Sequence, residues 1–542
     1  MQHSKYTYSW WLVYSGRFTQ SVFQFWIFRP FWRIVVVLAL IGCGGGFRST
    51  DSATLAASLP RSSYSLDQVP KPTVALPAPA LVPSQTTFFA LSGNLIPQKQ
   101  VFAHYMMCCG FGGYDSIAAA EEDIIMAQSM GITGFALNAG SWNSTYQTAV
   151  ANMFAAAAAL NSGFKLFFSA DMTGLTAANV IAMMEAYANN PYYFHYNGRP
   201  VLSTFSGERE SDSTNTTPVA WWTNEVLTPL QAAGINTFFV PGFLDVSPFP
   251  TSTTQSSLNT YASVQVANWS SIVQGLMTWQ VVDVTNNNAT NAVSIPIMNA
   301  HTSALNAAGK IYMPGINTKY WGSIQSTNGN IYYEWQGGSQ MDAQWQAAIT
   351  NNAPWVEILT WNDFNESYMM PMDDFEKYHD WGLPIGFTKP SLGYAEMLRY
   401  YIAWFRTGVR PTITKDAVFW FYRTHPAAAT ATNKTIRTTG QTTGPVTRYV
   451  PNSPSGAVPP DADQIYATVF ATSPATLSLN GTSETVAAGI NQFSTPFAAG
   501  PAPTFLLSRS GTTVMSGTGA DAITATPTYY DWWNSSGFIE GP

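Results

Sequence analysis

The sequence predicts an α/β chain: a (β/α)8 TIM barrel followed by a small C-terminal all-β domain. Three observations carry that expectation. Between residues 101 and 362, eight short apolar runs recur, with helical patterns between many of them. Each run ends on or near a side chain able to hydrogen-bond, in a chain where only 10% of residues are charged. From about 411 the text turns to Thr, Ala, Ser and Gly with short alternating runs, the pattern of a β module.

The runs are 101–107, 134–139, 165–171, 199–205, 237–243, 275–279, 310–317 and 355–362. Helical stretches lie at 116–130, 146–161, 177–189 and 294–308. Continuously apolar strands separated by helices imply a parallel sheet covered on both faces. Eight such units over about 300 residues fit a barrel; a doubly wound open sheet is the competing arrangement. A barrel keeps its reactive groups at the C-terminal ends of its strands. In order, those ends carry His104, Asn138, Asp171, Glu208, Asp245, Trp279, Asn317 and Asn362.

Ahead of the barrel, Lys5, Arg17, Arg29 and Arg33 precede an apolar stretch, Ile34 to Ile41, and the first acidic residue is Asp51. Cations followed by a short apolar stretch read as an export signal. Eight apolar residues are too few for a membrane span, which needs about 20. The stretch ends Leu40-Ile41-Gly42-Cys43, which resembles a bacterial lipobox and implies lipidation at Cys43. Residues 1–46 are therefore read as leader. Residues 47–95, rich in Ser, Thr, Ala and Pro, are read as a linker unable to build a core. The barrel is assigned to 96–410 and the β-rich accessory domain to 411–542. A secreted or cell-surface monomer, tethered through a lipidated Cys43, is expected. The remaining cysteines, Cys108 and Cys109, read as a buried pair at a strand end or a vicinal disulfide. No spaced pairs exist to staple the fold.

Composition narrows the ligand. The chain has 542 residues, and 24 Lys+Arg against 31 Asp+Glu gives 24 − 31 = −7. Without clustered cations, nucleic acid is not the expected partner, because phosphate binding needs them. The 46% hydrophobic content excludes disorder of the whole. Few charges with 19 Trp and 26 Tyr suit neutral, hydroxyl-rich ligands held by planar polar groups and aromatic faces. His104, Tyr105, Asn138, Asp171, Glu208, Trp279, Asn317, Trp361 and Asn362 are the candidates for binding such a ligand. Tyr320, Trp321 and Trp335 are further stacking candidates. The six His show no metal-ligand spacing, so neither metal nor cofactor is expected.

The densest cluster is Trp355-Val-Glu-Ile-Leu-Thr-Trp-Asn-Asp-Phe-Asn-Glu366-Ser. Asp363 and Glu366 follow a buried strand at a three-residue spacing. Glycosidic cleavage needs two carboxyl groups, one giving a proton and one activating water or attacking carbon. The same spacing also fits a helix N-terminal cap.

The stretches Val101–Met106, Gly131–Asn138, Gly163–Asp171, Gly198–Glu208, Tyr312–Asn317, Val356–Ser367 and Trp420–Pro426, taken in that order, resemble glycoside hydrolase family 71, the α-1,3-glucanases or mutanases. The resemblance covers about 98–425. It implies a (β/α)8 barrel, no metal, and inverting hydrolysis of α-1,3-glucan by a catalytic Asp-x-x-Glu pair, here Asp363 and Glu366. Asn365 stands where that family usually carries Gly before the Glu. The competing readings are an endo-α-mannosidase-like barrel glycosidase and a non-catalytic carbohydrate-binding lipoprotein.

Overall fold

The computed structural model describes residues 88–108, 116–244, 250, 252, 254–279, 291–322, 330–333, 336–363, 367–369, 389, 391–433, 446–450 and 463–541. The expected leader with Cys43, the linker before Phe88, and Cys109, Asp245, Trp335 and Glu366 lie outside the described residues. Cys108 is exposed rather than buried, and it is disulfide-bonded.

The strands are β1 Gln100–Met106, β2 Gly134–Ala139, β3 Lys165–Asp171, β4 Arg199–Phe205, β5 Phe238–Phe239, β6 Gly242–Phe243, β7 Gly275–Thr278, β8 Ile311–Asn317 and β9 Trp355–Leu359. They pair in parallel in the order β4-β3-β2-β1-β9-β8-β7-β6, and β5 pairs with β4. The run expected as one strand over 237–243 is thus split. Its first part ladders onto β4 and its second onto β7. Gly242 permits this, because a Cβ there would stand 2.2 Å from the Thr204 carbonyl oxygen.

Helices cover the sheet where local signals start and stop them. Helix α1 (Ile117–Ser129) begins at Ser116, whose side chain accepts from the Ala119 N–H. Helix α2 (Ser144–Leu160) begins at Asn143, which accepts from the Thr145 and Tyr146 N–H groups. It ends at Asn161, which takes the left-handed conformation (φ 43°) that Asn tolerates. Helix α3 (Ala177–Tyr187) starts with a reciprocal Thr176–Asn179 capping box. Helices α4 (Gln255–Trp269), α5 (Asn291–Ala307), α6 (Ser339–Thr350) and α7 (Leu392–Thr407) follow the later strands.

Register decides which residues face inward. Side chains alternate along a strand, and residues side by side in a parallel ladder point the same way. His104 pairs with Ala136, Ala136 with Phe167, and Asp171 with Phe205. Val201 pairs with Phe238, Gly242 with Met277, Met277 with Met313, and Gly315 with Glu357. Carried around, this parity puts His104, Asn138, Asp171, Phe205, Trp279, Asn317 and Glu357 on one face. That face is concave. His104 and Trp279 come from strands three places apart in the sheet order, yet their ring centroids are 4.8 Å apart. Its N-terminal end is filled by rings. Trp355 meets Phe102, Phe194, Tyr196 and Phe238 at centroid distances of 5.1 to 6.0 Å.

Two antiparallel four-stranded sheets follow. One has β10 (Ala417–Arg423), β11 (Gln464–Ala471), β14 (Gly489–Pro496) and β17 (Asn534–Glu540), in the order β14-β11-β10-β17. The other has β12 (Ala475–Leu479), β13 (Thr482–Val486), β15 (Thr504–Arg509) and β16 (Thr512–Thr518), in the order β13-β12-β15-β16. The alternation of β10 explains its unbroken apolar text. Phe419 and Phe421 join the core shared with the parallel sheet and α7, and Val418, Trp420 and Tyr422 join Leu477, Leu479 and Phe505. A strand buried on both faces loses its polar alternation. The apolar core therefore runs across residue 410 without a break. Phe88, at the end of the stretch read as linker, is fully buried in that core, and Phe89–Ala90 pairs with Thr412–Ile413.

Candidate functional site

The C-terminal end of the concave face gathers an imidazole, two carboxylates, two amides and an indole. His104 is fully buried on β1, and its Nδ1 lies 2.7 Å from Oε1 of Glu357 on β9. Its ring stands nearly perpendicular to Trp279, which packs edge-on against Phe205 at 4.8 Å. Asn317 fixes the start of the Trp279 loop. Its Nδ2 donates to the Trp279 carbonyl (2.9 Å), and its own N–H donates to Gln344 Oε1 (2.8 Å).

Asp171 closes β3. Its Oδ1 accepts from the Thr173 N–H (3.0 Å) and hydroxyl (2.6 Å), and Asn138 also bonds it. Burial pushes the Asp171 carboxyl up from its ordinary value, against the pull of Thr173, Asn138 and the nearby His104. The neighbouring Tyr146 hydroxyl is pushed up to about 12, by burial and then by the Asp171 charge. Glu208 sits in the turn Gly207–Arg209 after β4. Its Oε1 accepts from the Leu244 N–H at 3.0 Å and so ties that turn to the end of β6.

Asp363 is half-buried beyond β9. Its N–H donates to Thr360 Oγ1 (2.9 Å), and it pairs with Ser367 in a short antiparallel ladder. The preceding Asn362 is fully buried and clamps the end of β1. Its Oδ1 accepts from the Met106 N–H (2.7 Å), and its Nδ2 donates to the Met106 carbonyl (3.1 Å). Asn362 thus ties its amide to the backbone of β1 and positions Asp363. Asn362→Ala is expected to cost about 1–3 kcal/mol, because a backbone N–H loses its acceptor. A thermal melt equal to wild type would remove the clamp from the account.

The structure brings His104, Asn138, Asp171, Trp279 and Asn317 together on the inner face, with Glu208 and Asp363 in loops past the strand ends. It does not bring Tyr105 or Trp361 there. Tyr105 has the opposite parity to His104, and its hydroxyl donates to Asp123 on α1 at 2.6 Å. Trp361 is fully buried against Phe135, outside the concave face, so it is core and not a stacking surface. Trp321 likewise is fully buried against Trp533 at 5.4 Å, and Tyr320 packs on Tyr333. Residue-by-residue reading of strand ends missed Glu357. A lone carboxylate between Trp355 and Leu359, at the inward period of a buried strand, is the signal that would have found it. Among the described residues, no group of three His, Cys, Asp or Glu side chains could hold a metal ion.

Chemically, this is a buried cluster of amides, carboxylates and indole edge in a largely uncharged setting. Such groups suit a neutral ligand with many hydroxyls.

Relatives agree with that chemistry. The family model Glycosyl hydrolase family 71 matches residues 97–540. The glucan endo-1,3-alpha-glucosidase agn1 of Schizosaccharomyces pombe is 27% identical over 450 residues, 82% of this chain and 95% of that protein. The mutanase Pc12g07500 of Penicillium rubens is 26% identical over 459 residues, 82% of this chain and 90% of that protein. Among solved structures, a GH99 endo-alpha-mannosidase of Bacteroides thetaiotaomicron aligns over 57% of this chain and 98% of its own, at 15% identity and a TM-score of 0.39. With a match that begins just before β1 and runs to the last residue of β17, the chain belongs to glycosyl hydrolase family 71 and is a glycoside hydrolase.

Proposed function

We propose that the enzyme hydrolyses α-1,3-glucosidic linkages of an α-glucan with inversion, using Asp363 as general base and Glu366 as general acid. The observation that carries the reading is the placing of Asp363. It is a half-exposed carboxylate just past the end of β9, pinned through Thr360 and the Asn362 clamp beside the inner-face cluster. The name of the Schizosaccharomyces pombe relative, a glucan endo-1,3-alpha-glucosidase, supplies the linkage.

In this reading Asp363 takes a proton from water as the water attacks the anomeric carbon. Glu366 gives its proton to the departing glycosidic oxygen. Inverting pairs stand roughly 6.5–9.5 Å apart to admit the water. The proposal extends to architecture. The split strand over 238–243 bonds to both β4 and β7, which supports a closed (β/α)8 barrel, and the two antiparallel sheets support a C-terminal β-rich accessory domain. Export, with Cys43 lipidated and the chain monomeric, completes the proposal and rests on the sequence alone.

The test is incubation with insoluble α-1,3-glucan beside α-1,4-glucan and α-mannan, following reducing ends and their anomeric form by NMR. Release of the β-anomer from α-1,3-glucan alone is the expected result. First release of the α-anomer would overturn inversion, and turnover of α-mannan alone would overturn the linkage.

A further inference from the structure

His104 and Glu357 form a buried pair whose geometry asks for a third member. Glu357 is 1% exposed and His104 is 0% exposed. A carboxylate offers only acceptors, so at 2.7 Å the proton between them sits on Nδ1. In the neutral ring Nε2 then carries a lone pair. That atom is buried and meets no hydrogen-bond partner among the described residues, nor does the second carboxylate oxygen of Glu357. Buried polar atoms in folded proteins are nearly always paired. A purely structural His–Glu pair would have its outer nitrogen capped by the fold. Here the surroundings are the Trp279 ring, its centroid 4.8 Å from that of the imidazole, and the nearby Asp171.

We propose that Glu357 is a positioning residue: it holds the His104 imidazole so that Nε2 accepts a hydrogen bond from a sugar hydroxyl bound beside the Trp279 ring. This rests on the hydrolase reading above and names one of its substrate contacts. A hydroxyl is the fitting ligand group, because it donates and accepts at once. It can donate to Nε2 and accept from a neighbouring amide such as that of Asn138. A carboxylate or phosphate ligand, having only acceptors, would face the Nε2 lone pair and the Asp171 carboxylate with repulsion. Glu357 touches no substrate in this arrangement and acts through the ring.

Two measurements on the full chain test the proposal. In protein labelled with 15N-histidine, the His104 signals, assigned by their loss in His104→Gln, are expected to show a protonated Nδ1 and an unprotonated Nε2. A protonated Nε2 overturns the proposal. Adding α-1,3-linked glucose oligosaccharide to the Asp363→Asn variant is expected to shift the Nε2 signal; at saturating ligand, shown by the Trp fluorescence change, an unmoved signal overturns it.

In kinetics, Glu357→Gln keeps an oxygen for Nδ1 and is expected to stay within about threefold of wild type, whereas Glu357→Met raises KM about tenfold, the worth of one lost hydrogen bond, with kcat nearly kept. Equal KM in a Glu357→Met protein that melts like wild type overturns it. If Glu357→Met does not fold, the wild-type histidine spectrum still decides. A wild-type enzyme inactive on α-1,3-glucan sinks the linkage reading alone, because the tautomer is read without substrate.

Discussion

Asp363→Asn and Glu366→Gln are each expected to lower kcat on α-1,3-glucan by about 10³-fold, within the 10²–10⁴ that general acid–base groups contribute. Both changes keep size and hydrogen-bonding shape while removing the proton chemistry, so oligosaccharide affinity should change little. The two variants should separate on a substrate whose leaving group needs no proton. With α-glucosyl fluoride, Glu366→Gln is expected to recover much of its lost rate, since the acid's work is no longer needed. Asp363→Asn is expected to stay slow, because water still needs a base. The opposite pattern would exchange the two roles. Near-normal turnover by either variant on the polysaccharide would remove the pair from the mechanism.

Trp355→Ala is expected to destabilise the protein by about 3–5 kcal/mol, the cost of deleting a large buried aromatic and leaving a cavity. The ring is fully buried and touches partners on β1, on β5 and in the 194–196 segment. Those partners come from both ends of the β1–β4 run of the sheet, so no single neighbour can relax into the space. Trp355→Phe retains most of the ring contacts and should cost markedly less. Urea titration followed by tryptophan fluorescence and by circular dichroism together is the measurement. A midpoint for Trp355→Ala equal to that of wild type would show that the inner-face packing is not what supports the sheet.

Much of this architecture is legible in the sequence. The runs at 134–139, 165–171 and 199–205 became strands with the same bounds, because strands buried on both faces are written as unbroken apolar text flanked by caps. The caps were written too, as Ser116, Asn143 and Thr176. The stretch 237–243 read as one strand, since composition does not reveal that Gly242 lets the chain pass close to the Thr204 carbonyl and change partners. Five of the inner-face residues were legible because polar side chains are conspicuous at the ends of apolar runs. Tyr105 and Trp361 were misread because aromatic side chains suit a sugar platform and a core equally well. Only their orientation separates the two, and one residue of strand turns it over.

What the sequence by itself determined is local and periodic: most of the strands, several of the helices, their order, and which strand ends carry hydrogen-bonding groups. It also carried the ordered blocks by which the family is known. What only the tertiary structure decided is who faces whom. His104 and Glu357 are 253 residues apart, and nothing local joins them. They meet because the β1–β9 ladder sets a register, and alternation then turns both side chains to the concave face. Facing is a property of paired strands, and pairing is a contact between distant parts of the chain.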